Sequence, residues 1–353
     1  MKFDFLTLHP EAFGLDLSDL SLKVAKLKKT TKGFKLESFG EFPIPEGLVL
    51  QGEIKNEEAL SRLIGEAVHS LKLQTSFVAA SLPEEKAFLQ VIQLPQMKQE
   101  EIKGAVAFEA ENYIPYPVDT VYLDSEFVPP LKNGLDHMDV LVAALPKAIV
   151  DSYVSCFTKA GLFPRVLEIE SLATARALVP QETAASPILL LDMGATRTGF
   201  AVFAGKSLRF TASIPVSGFG LTQALSQSLS LSAKDAEELK KTQGIGEPLM
   251  PLLSDLVKEV RKYMGYYESH ASHQHLAQEE KRIKKVFLTG GGANLAGLVE
   301  FLSKELETSV VQGNPWVNIF EESLKELPPL PFDQSLKYAT SLGLALAGLR
   351  PHD

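Results

Sequence analysis

The chain has only one cysteine, Cys156. No disulfide can form within it, and a reducing compartment is the expectation. It also lacks any apolar run of the ~18–20 residues that a membrane-spanning helix needs. The greasiest stretch, "ATSLGLALAGL", reads instead as a buried helix. The opening residues "MKFDFLTLHPEAFG" have no unbroken apolar core and no small-residue cleavage site, so no secretory leader is expected. Basic residues are not in excess: the formal net charge is −9, which argues against a general polyanion or nucleic-acid binder. These absences predict a cytoplasmic protein with no direct membrane insertion. What is present is an ordinary globular composition, 45% apolar and 22% charged over 353 residues, room for about two domains.

Two stretches about half the chain apart share one pattern: "FGLDLSDLSLKVAKL" from Phe13 and "ILLLDMGATRTGFAVF" from Ile188. Each reads as an apolar strand, an aspartate, a turn of small polar residues and a second apolar strand. That spacing suggests a duplicated core rather than a short-period repeat. The continuous apolar run Ile188–Leu191 fits a strand covered on both faces. After the first hairpin, Leu60, Ile64, Ala67, Val68 and Leu71 recur at helical spacing, and "SFVAASLP" reads as a strand stopped by Pro83.

Residues 83–146 read as an inserted α/β module. It has a strand "AFLQVIQLP", a helix "KQEEIKGAVAFEAENY", a turn "IPYP" and strands "VYLDSEFV" and "MDVLVAAL". A helix is expected near Ala148–Ala160. In the second half a hairpin runs to "LRFTASIPVS", and helices are expected in "GLTQALSQSL", "SAKDAEELKKT" and "MPLLSDLVKEVRKYMGYYESHAS". A strand, a glycine turn and a helix follow in "KKVFLTGGGANLAGLVEFLSKEL". "LKELPPLPFD" is a proline-rich loop, and "LKYATSLGLALAGL" lies in the last helix.

Three places could carry chemistry. At the second hairpin Asp192 ends a buried strand, and Gly194 allows a turn. Ala195, Thr196 and Thr198 could then offer N–H and hydroxyl donors to phosphate, with the aspartate holding a cation directly or through water. The bland alternative is a hairpin with a solvated turn. Gly290, Gly291 and Gly292 remove side chains between a strand and a helix start, where a ligand could meet free N–H groups. They could equally serve close packing. Glu237 and Lys240, three apart on a helix, read by spacing alone as a solvated pair.

Taken together, two aspartate hairpins and a glycine turn resemble the actin-like ATPase fold, in which Glu237 and Lys240 match residues facing the ribose. A longer match is more specific. "QVIQLPQMKQEEIKGAVAFEAENYIPYPVDTVYLD" is similar to the signature module of the PilM family, the actin-like cytoplasmic proteins of type IV pilus assembly. Leu94–Met97, Glu109–Pro117 and Asp124 fit its pattern, with Tyr116 in place of phenylalanine. "GNPW" at Gly313–Trp316 and "SLGLALAGL" also match, so the resemblance runs from about Phe13 to the last residues.

The resemblance implies an α/β, actin-like ATPase fold with two duplicated domains and a small inserted α/β module. The first domain is expected at 1–82 and 147–186, the module at 83–146 and the second domain at 187–335, subdivided at about 224–283. A C-terminal helix, 336–353, returns to the first domain. ATP with Mg²⁺ is implied at Asp16, Ser18, Asp19, Ser21, Lys23, Asp192, Gly194, Ala195, Thr196, Arg197, Glu237, Lys240, Gly290, Gly291, Gly292 and Asn294. Asp16 and Asp192 would hold Mg²⁺ through water. The implied partner is the short cytoplasmic N-terminal tail of a PilN-type bitopic inner-membrane protein. It would dock between the module and the first domain near Glu109, Tyr113 and Tyr116. Self-association is a further expectation. The implied role is a nucleotide-binding scaffold at the inner face of the membrane, at most a weak ATPase. Two alternatives are an FtsA-like division scaffold, which would end in a basic amphipathic helix, and a small-molecule kinase, which would need a catalytic base in a substrate pocket, a role the sequence assigns to no residue.

The first hairpin departs from the family. Gly14, Asp16, Ser21 and Lys23 fit, while Ser18, Asp19 and Leu20 replace the expected small residues. A side chain at Ser18 crowds the backbone. Asp19 places negative charge near phosphate, a penalty of order 1–4 kcal/mol at ~4 Å unless Mg²⁺, Lys23 or an outward rotamer offsets it. A weakened grip is expected, and Ser18→Gly with Asp19→Ser is expected to tighten ATP binding.

Other residues have competing readings. Glu168 and Glu170 match a family acidic pair on the γ-phosphate side, or are favourable charge in a first helical turn. They are the candidate catalytic residues. By helical spacing Glu109 shares the apolar face with Tyr113, either capping the IPYP turn or anchoring a partner. His270, His273 and His275 have no acidic or cysteine framework around them and read as a solvated helix end. Cys156 reads as packing in an amphipathic helix.

Overall fold

The computed structural model describes residues 11–31, 33–129, 137–270, 278–320 and 328–350. Strands β1 (Phe13–Leu17), β2 (Ser21–Thr30) and β3 (Gly33–Pro43) form an antiparallel meander. The short pair β4 (Val49–Leu50) and β5 (Glu53–Ile54) leads to α1 (Glu57–Ser70). Asn56 caps this helix by accepting the Ala59 N–H. β6 (Phe77–Leu82) runs parallel to β1 and ends at Pro83, as the sequence predicts.

Next come β7 (Phe88–Pro95), α2 (Gln99–Glu109), β8 (Val121–Val128) and β9 (His137–Pro146), which form the inserted module. The chain returns through α3 (Lys147–Lys159), β10 (Phe163–Ile169) and α4 (Glu170–Leu178). The second half holds β11 (Ala184–Met193), β12 (Thr198–Gly205), β13 (Ser207–Ile214), α5 (Gly218–Leu229), α6 (Ala233–Gln243), α7 (Met250–His270) and α8 (Gln278–Lys281). It continues with β14 (Lys285–Thr289), α9 (Leu298–Leu306), β15 (Ser309–Gln312), α10 (Phe332–Ser335) and α11 (Ala339–Gly348).

The two large sheets repeat one plan. Their orders are β3-β2-β1-β6-β10 and β13-β12-β11-β14-β15. Each has three antiparallel strands followed by two parallel ones. β10 and β15, the outermost parallel strands, were not legible as strands. β10 begins with Phe163-Pro164 and is mostly half-buried, and β15 has four residues. α11 is buried at all ten positions and lies against β1 and α4 at backbone contact. A Cβ on Gly14 would sit 2.0 Å from the Ser341 carbonyl oxygen, and one on Gly343 would sit 1.8 Å from that of Ala173.

The module's sheet, β7-β9-β8, is sided by strand alternation. Val140, Val142 and Ala144 pack with Ile92, Ile102 and Val106 under α2. Leu141 and Leu145, on the other face, join the core of the first domain. Asp139 shares that inner face and lies 3.7 Å from Arg209 of β13, a buried ion pair that ties the module to the second domain. α2 is shorter than predicted: residues 110–112 tighten into a 3-10 turn, so Tyr113 does not share a helical face with Glu109. His273 and His275 lie outside the described residues, as does the His270 side chain. So does the first part of the proline-rich loop, residues 324–327.

Candidate functional site

A cleft of about 1290 Å³ separates the two large sheets at the ends of β1 and β11. Of the residues expected to bind a cofactor, all but Asp19 line it. The duplication makes this possible. Asp16 and Asp192 are each the next-to-last residue of equivalent strands. Asp16 is buried and accepts the Ser81 hydroxyl at 3.2 Å, with the Lys23 ammonium 3.8 Å away. Burial, then the negative charge of Asp16, push the Asp192 carboxyl up to about 6, opposed by Lys23 and Arg197.

The first hairpin turn satisfies much of itself. The Ser18 amide and hydroxyl both donate to the Ser21 carbonyl at 3.0 Å, and Lys23 donates to the Ser21 hydroxyl at 2.7 Å. Asp19 corrects the sequence reading. Its carboxylate turns away from the cleft and accepts the amides of Gln51 and Gly52 at 3.1 and 3.0 Å. The outward pose needs no phosphate or metal to offset its charge, because two backbone donors do so.

The second turn is more open. Gly194 closes it by donating to the Arg197 carbonyl at 2.9 Å. Among the described residues the Ala195 and Thr196 amides find no protein acceptor. The glycine run behind it is mainly a packing device. A Cβ on Gly290, where φ is +82°, would meet Asp192 Oδ1 at 2.3 Å, and one on Gly292 would meet Met193 Cγ at 2.4 Å. Only Gly291 faces open space. The run forms a 3-10 turn, and α9 starts only at Leu298, so the expected helix start is not at the glycines.

Glu237 and Lys240 face the cleft but are already engaged. Lys240 bonds Glu237 and the Gly218 carbonyl at 2.6 and 2.9 Å, and Glu237 accepts the Thr222 hydroxyl at 2.5 Å. Asn294 donates to the Asp333 carbonyl at 2.7 Å.

The acidic pair is split. In a continuing strand Glu168 and Glu170 would share one face. The chain turns into α4 at Glu170, which separates them. Glu168 is held by Arg176 at 2.9 Å and does not line the cleft, which corrects its reading as a catalytic candidate. Glu170 does line it, and Arg197 donates to it at 3.2 Å. Arg197 also donates to Glu85. With two carboxylates on one guanidinium, burial pushes Glu170 up to about 8, helped by Asp16, Glu85 and Glu84 and opposed by Arg197. The sequence reading missed Glu84 and Glu85, which follow Pro83 without any motif.

On the module Tyr113 and Tyr116 are exposed, and half-buried Glu109 accepts the Asn112 side chain at 3.3 Å. Glu109 caps no turn amide in the described contacts. Phe108, Tyr122 and Phe127 are exposed as well. Phe108 could have been found: it falls off the Ile102/Val106 stripe of its helix. Tyr122, Asp124 and Glu126 form the inner row of the edge strand β8, beside α3. The Tyr122 hydroxyl donates to Asp151 at 2.9 Å. Partial desolvation and Asp124 raise the Glu126 carboxyl above its ordinary range, against Arg176.

Comparison with known proteins agrees with this architecture. One chain of a PilM–PilN type IV pilus biogenesis complex superposes with a TM-score of 0.81 at 28% identity, covering 98% of this chain and 100% of that one. MreB5 of Spiroplasma citri bound to ADP gives 0.54 at 11% identity over 95% of both chains, a likeness of fold alone. The fold is thus the actin-like one, two duplicated domains with an inserted module. The cell division protein FtsA of Pseudomonas aeruginosa is 26% identical over 216 residues, 55% of this chain and 50% of that protein. This chain spans about half the length of the first curated relatives it matches. Among the described residues no helix is long and apolar enough to cross a membrane. The family model described as type IV pilus assembly protein PilM matches residues 14–349, and the chain belongs to that family.

Proposed function

We propose that the chain is a nucleotide-binding scaffold of type IV pilus assembly. In this reading it holds Mg²⁺–ATP in the cleft. It docks the short N-terminal tail of a PilN-type inner-membrane protein between the module and the first domain, and so works at the cytoplasmic face of that membrane. The donor set fits the nucleotide. The open Ala195 and Thr196 amides and the Thr196 hydroxyl suit phosphate oxygens, and Gly291 leaves space for the nucleoside. Asp16 and Asp192 are two carboxylates with no third metal-binding side chain grouped with them among the described residues. That suits Mg²⁺, which keeps waters and takes its other ligands from phosphates. Bound there, it would neutralise phosphate charge. Glu168 faces elsewhere and Glu170 is shared with Arg197, so at most weak hydrolysis follows.

One observation carries the partner half. Five large aromatics are exposed on the module: Phe108 on α2, Tyr113 and Tyr116 between α2 and β8, and Tyr122 and Phe127 on opposite faces of β8. Tyr122 shares its face of β8 with Asp124 and Glu126, and among the described residues β8 is an edge of its sheet. A strand edge offers main-chain hydrogen bonds to an extended peptide, and the acids suit the basic residues common on the cytoplasmic side of a membrane span.

Calorimetry with ATP and Mg²⁺, and titration with the partner's tail peptide, test both halves. Binding of each at or below millimolar concentration is expected. Tyr116→Ala and Glu109→Gln should weaken the peptide while leaving the melting temperature in place. Peptide affinity that survives both changes, or falls only with the fold, moves the groove elsewhere. No ATP binding at millimolar ligand removes the nucleotide half.

A further inference from the structure

One arginine spans the cleft. Arg197, in the turn between β11 and β12, donates to Glu85 and, at 3.2 Å, to Glu170. Glu170 opens α4, whereas Glu85 lies in the single turn Glu84–Lys86 that leads from β6 into β7 and hence into the module. That turn is fastened to α4, since Glu84 accepts the Ser171 amide at 3.1 Å. It is also wedged against Gly52, where a Cβ would sit 2.9 Å from Glu85 Oε1 and 2.4 Å from Pro83 Cβ. The arginine does not fully satisfy its acids: among the described residues Glu85 Oε2 is buried without a hydrogen-bond partner. Moving the guanidinium off Glu85 would leave that carboxylate buried and uncompensated, so only an anion of higher charge, together with a turn that opens Glu85 to water, can take the arginine away.

From this geometry we propose that Arg197 is a latch between the second hairpin and the lead-in turn of the module. It exchanges Glu85 for the terminal phosphate of a triphosphate in the cleft. The proposal rests on the nucleotide reading given above. The planar guanidinium fork suits phosphate as well as carboxylate. Arg197 also adjoins Thr196, at the turn whose amides are open, so a side-chain rotation makes the exchange. Two consequences follow. The cleft prefers a triphosphate to a diphosphate, because only the former supplies the competing anion. The turn leading into the module loosens when the cleft fills, so the docking surface senses the nucleotide.

Hydrogen exchange at the Lys86 and Ala87 amides reads the latch directly. In the closed form these donate to the Pro83 and Glu84 carbonyls at 3.2 and 3.1 Å. Calorimetry on the same samples reads binding. In the full chain Mg²⁺–ATP is expected to speed exchange at both amides about tenfold, the scale of losing one charge-assisted contact, and Mg²⁺–ADP to leave it near the unliganded rate. The near-isosteric Glu85→Gln, which keeps the packing, should exchange fast without nucleotide and bind ATP about tenfold tighter than the natural chain. Arg197→Ala should lose the preference for ATP over ADP. If calorimetry shows ATP binding but exchange does not change, and Glu85→Gln keeps the natural ratio of ATP to ADP affinity, the latch is wrong while the nucleotide site stands. If no variant gives a binding signal with either nucleotide, the site itself is wrong and the latch falls with it.

Discussion

In the first hairpin Ser18 donates to Ser21, Lys23 bonds Ser21, and Asp19 turns outward onto Gln51 and Gly52. In the second, Gly194 closes the turn, the amides of Ala195 and Thr196 stay open, and Arg197 reaches across to Glu85 and Glu170. The strands that carry them pair in the same sense, and each aspartate stands one residue from its strand end. Duplicated backbones therefore do not make duplicated sites. Each turn has a fixed number of donors, and those that its own hydroxyls and carbonyls consume are not left for a ligand.

The largest effect should come from erasing a difference between the strands themselves. Gly14 stands two residues before Asp16, where the second strand has Leu190 before Asp192. Gly14→Ala forces β1 off the backbone of α11 and should cost about 3 kcal/mol or more, seen as a large fall in the denaturant midpoint. A near-natural midpoint would mean that α11 is not seated on β1 as described.

Next comes the outward acid. Asp19→Ser removes two charge-assisted bonds to backbone amides and should cost about 2 kcal/mol of stability. It should not tighten ATP binding, whereas the sequence predicts tightening for the double change Ser18→Gly with Asp19→Ser. A gain in ATP affinity without a stability loss would show that Asp19 faces phosphate after all.

The complementary change puts an acid into the open turn. Thr196→Glu should weaken Mg²⁺–ATP about tenfold by calorimetry, because among the described residues this turn has no pair of outward backbone donors like the Gln51 and Gly52 amides to hold the charge. Unchanged affinity would make the two turns equivalent.

The smallest change is in pH dependence. Glu170 is raised from 4.5 to about 8, so the folded chain keeps a proton that the unfolded chain gives up earlier. Stability from this group is full below about pH 4.5 and is lost as pH rises toward 8. Glu170→Gln should flatten the fall in melting temperature between pH 5 and 8. An identical slope would show that Arg197 keeps Glu170 ionised throughout.

The sequence by itself determined the local elements and their repetition. Apolar runs ended by Asp16 and Asp192 had to be buried strands, the 60/64/67 spacing had to be a helix, and Pro83 had to stop β6. The specific YIPYP segment marked the module. Each of these depends on neighbours within a few residues, where backbone sterics and hydrophobic periodicity suffice. Only the tertiary structure decided which way polar side chains point. Asp19 found its amides 32 and 33 residues away, Arg197 found Glu85 112 residues away, and Glu168 lost its place in the cleft to the turn into α4. Gly290 and Gly292 proved to be spacers because Asp192 and Met193 lie against them. A carboxylate or a guanidinium has no local preference strong enough to choose its partner. That choice is made by desolvation when the sheets close, and desolvation is a property of the packed whole.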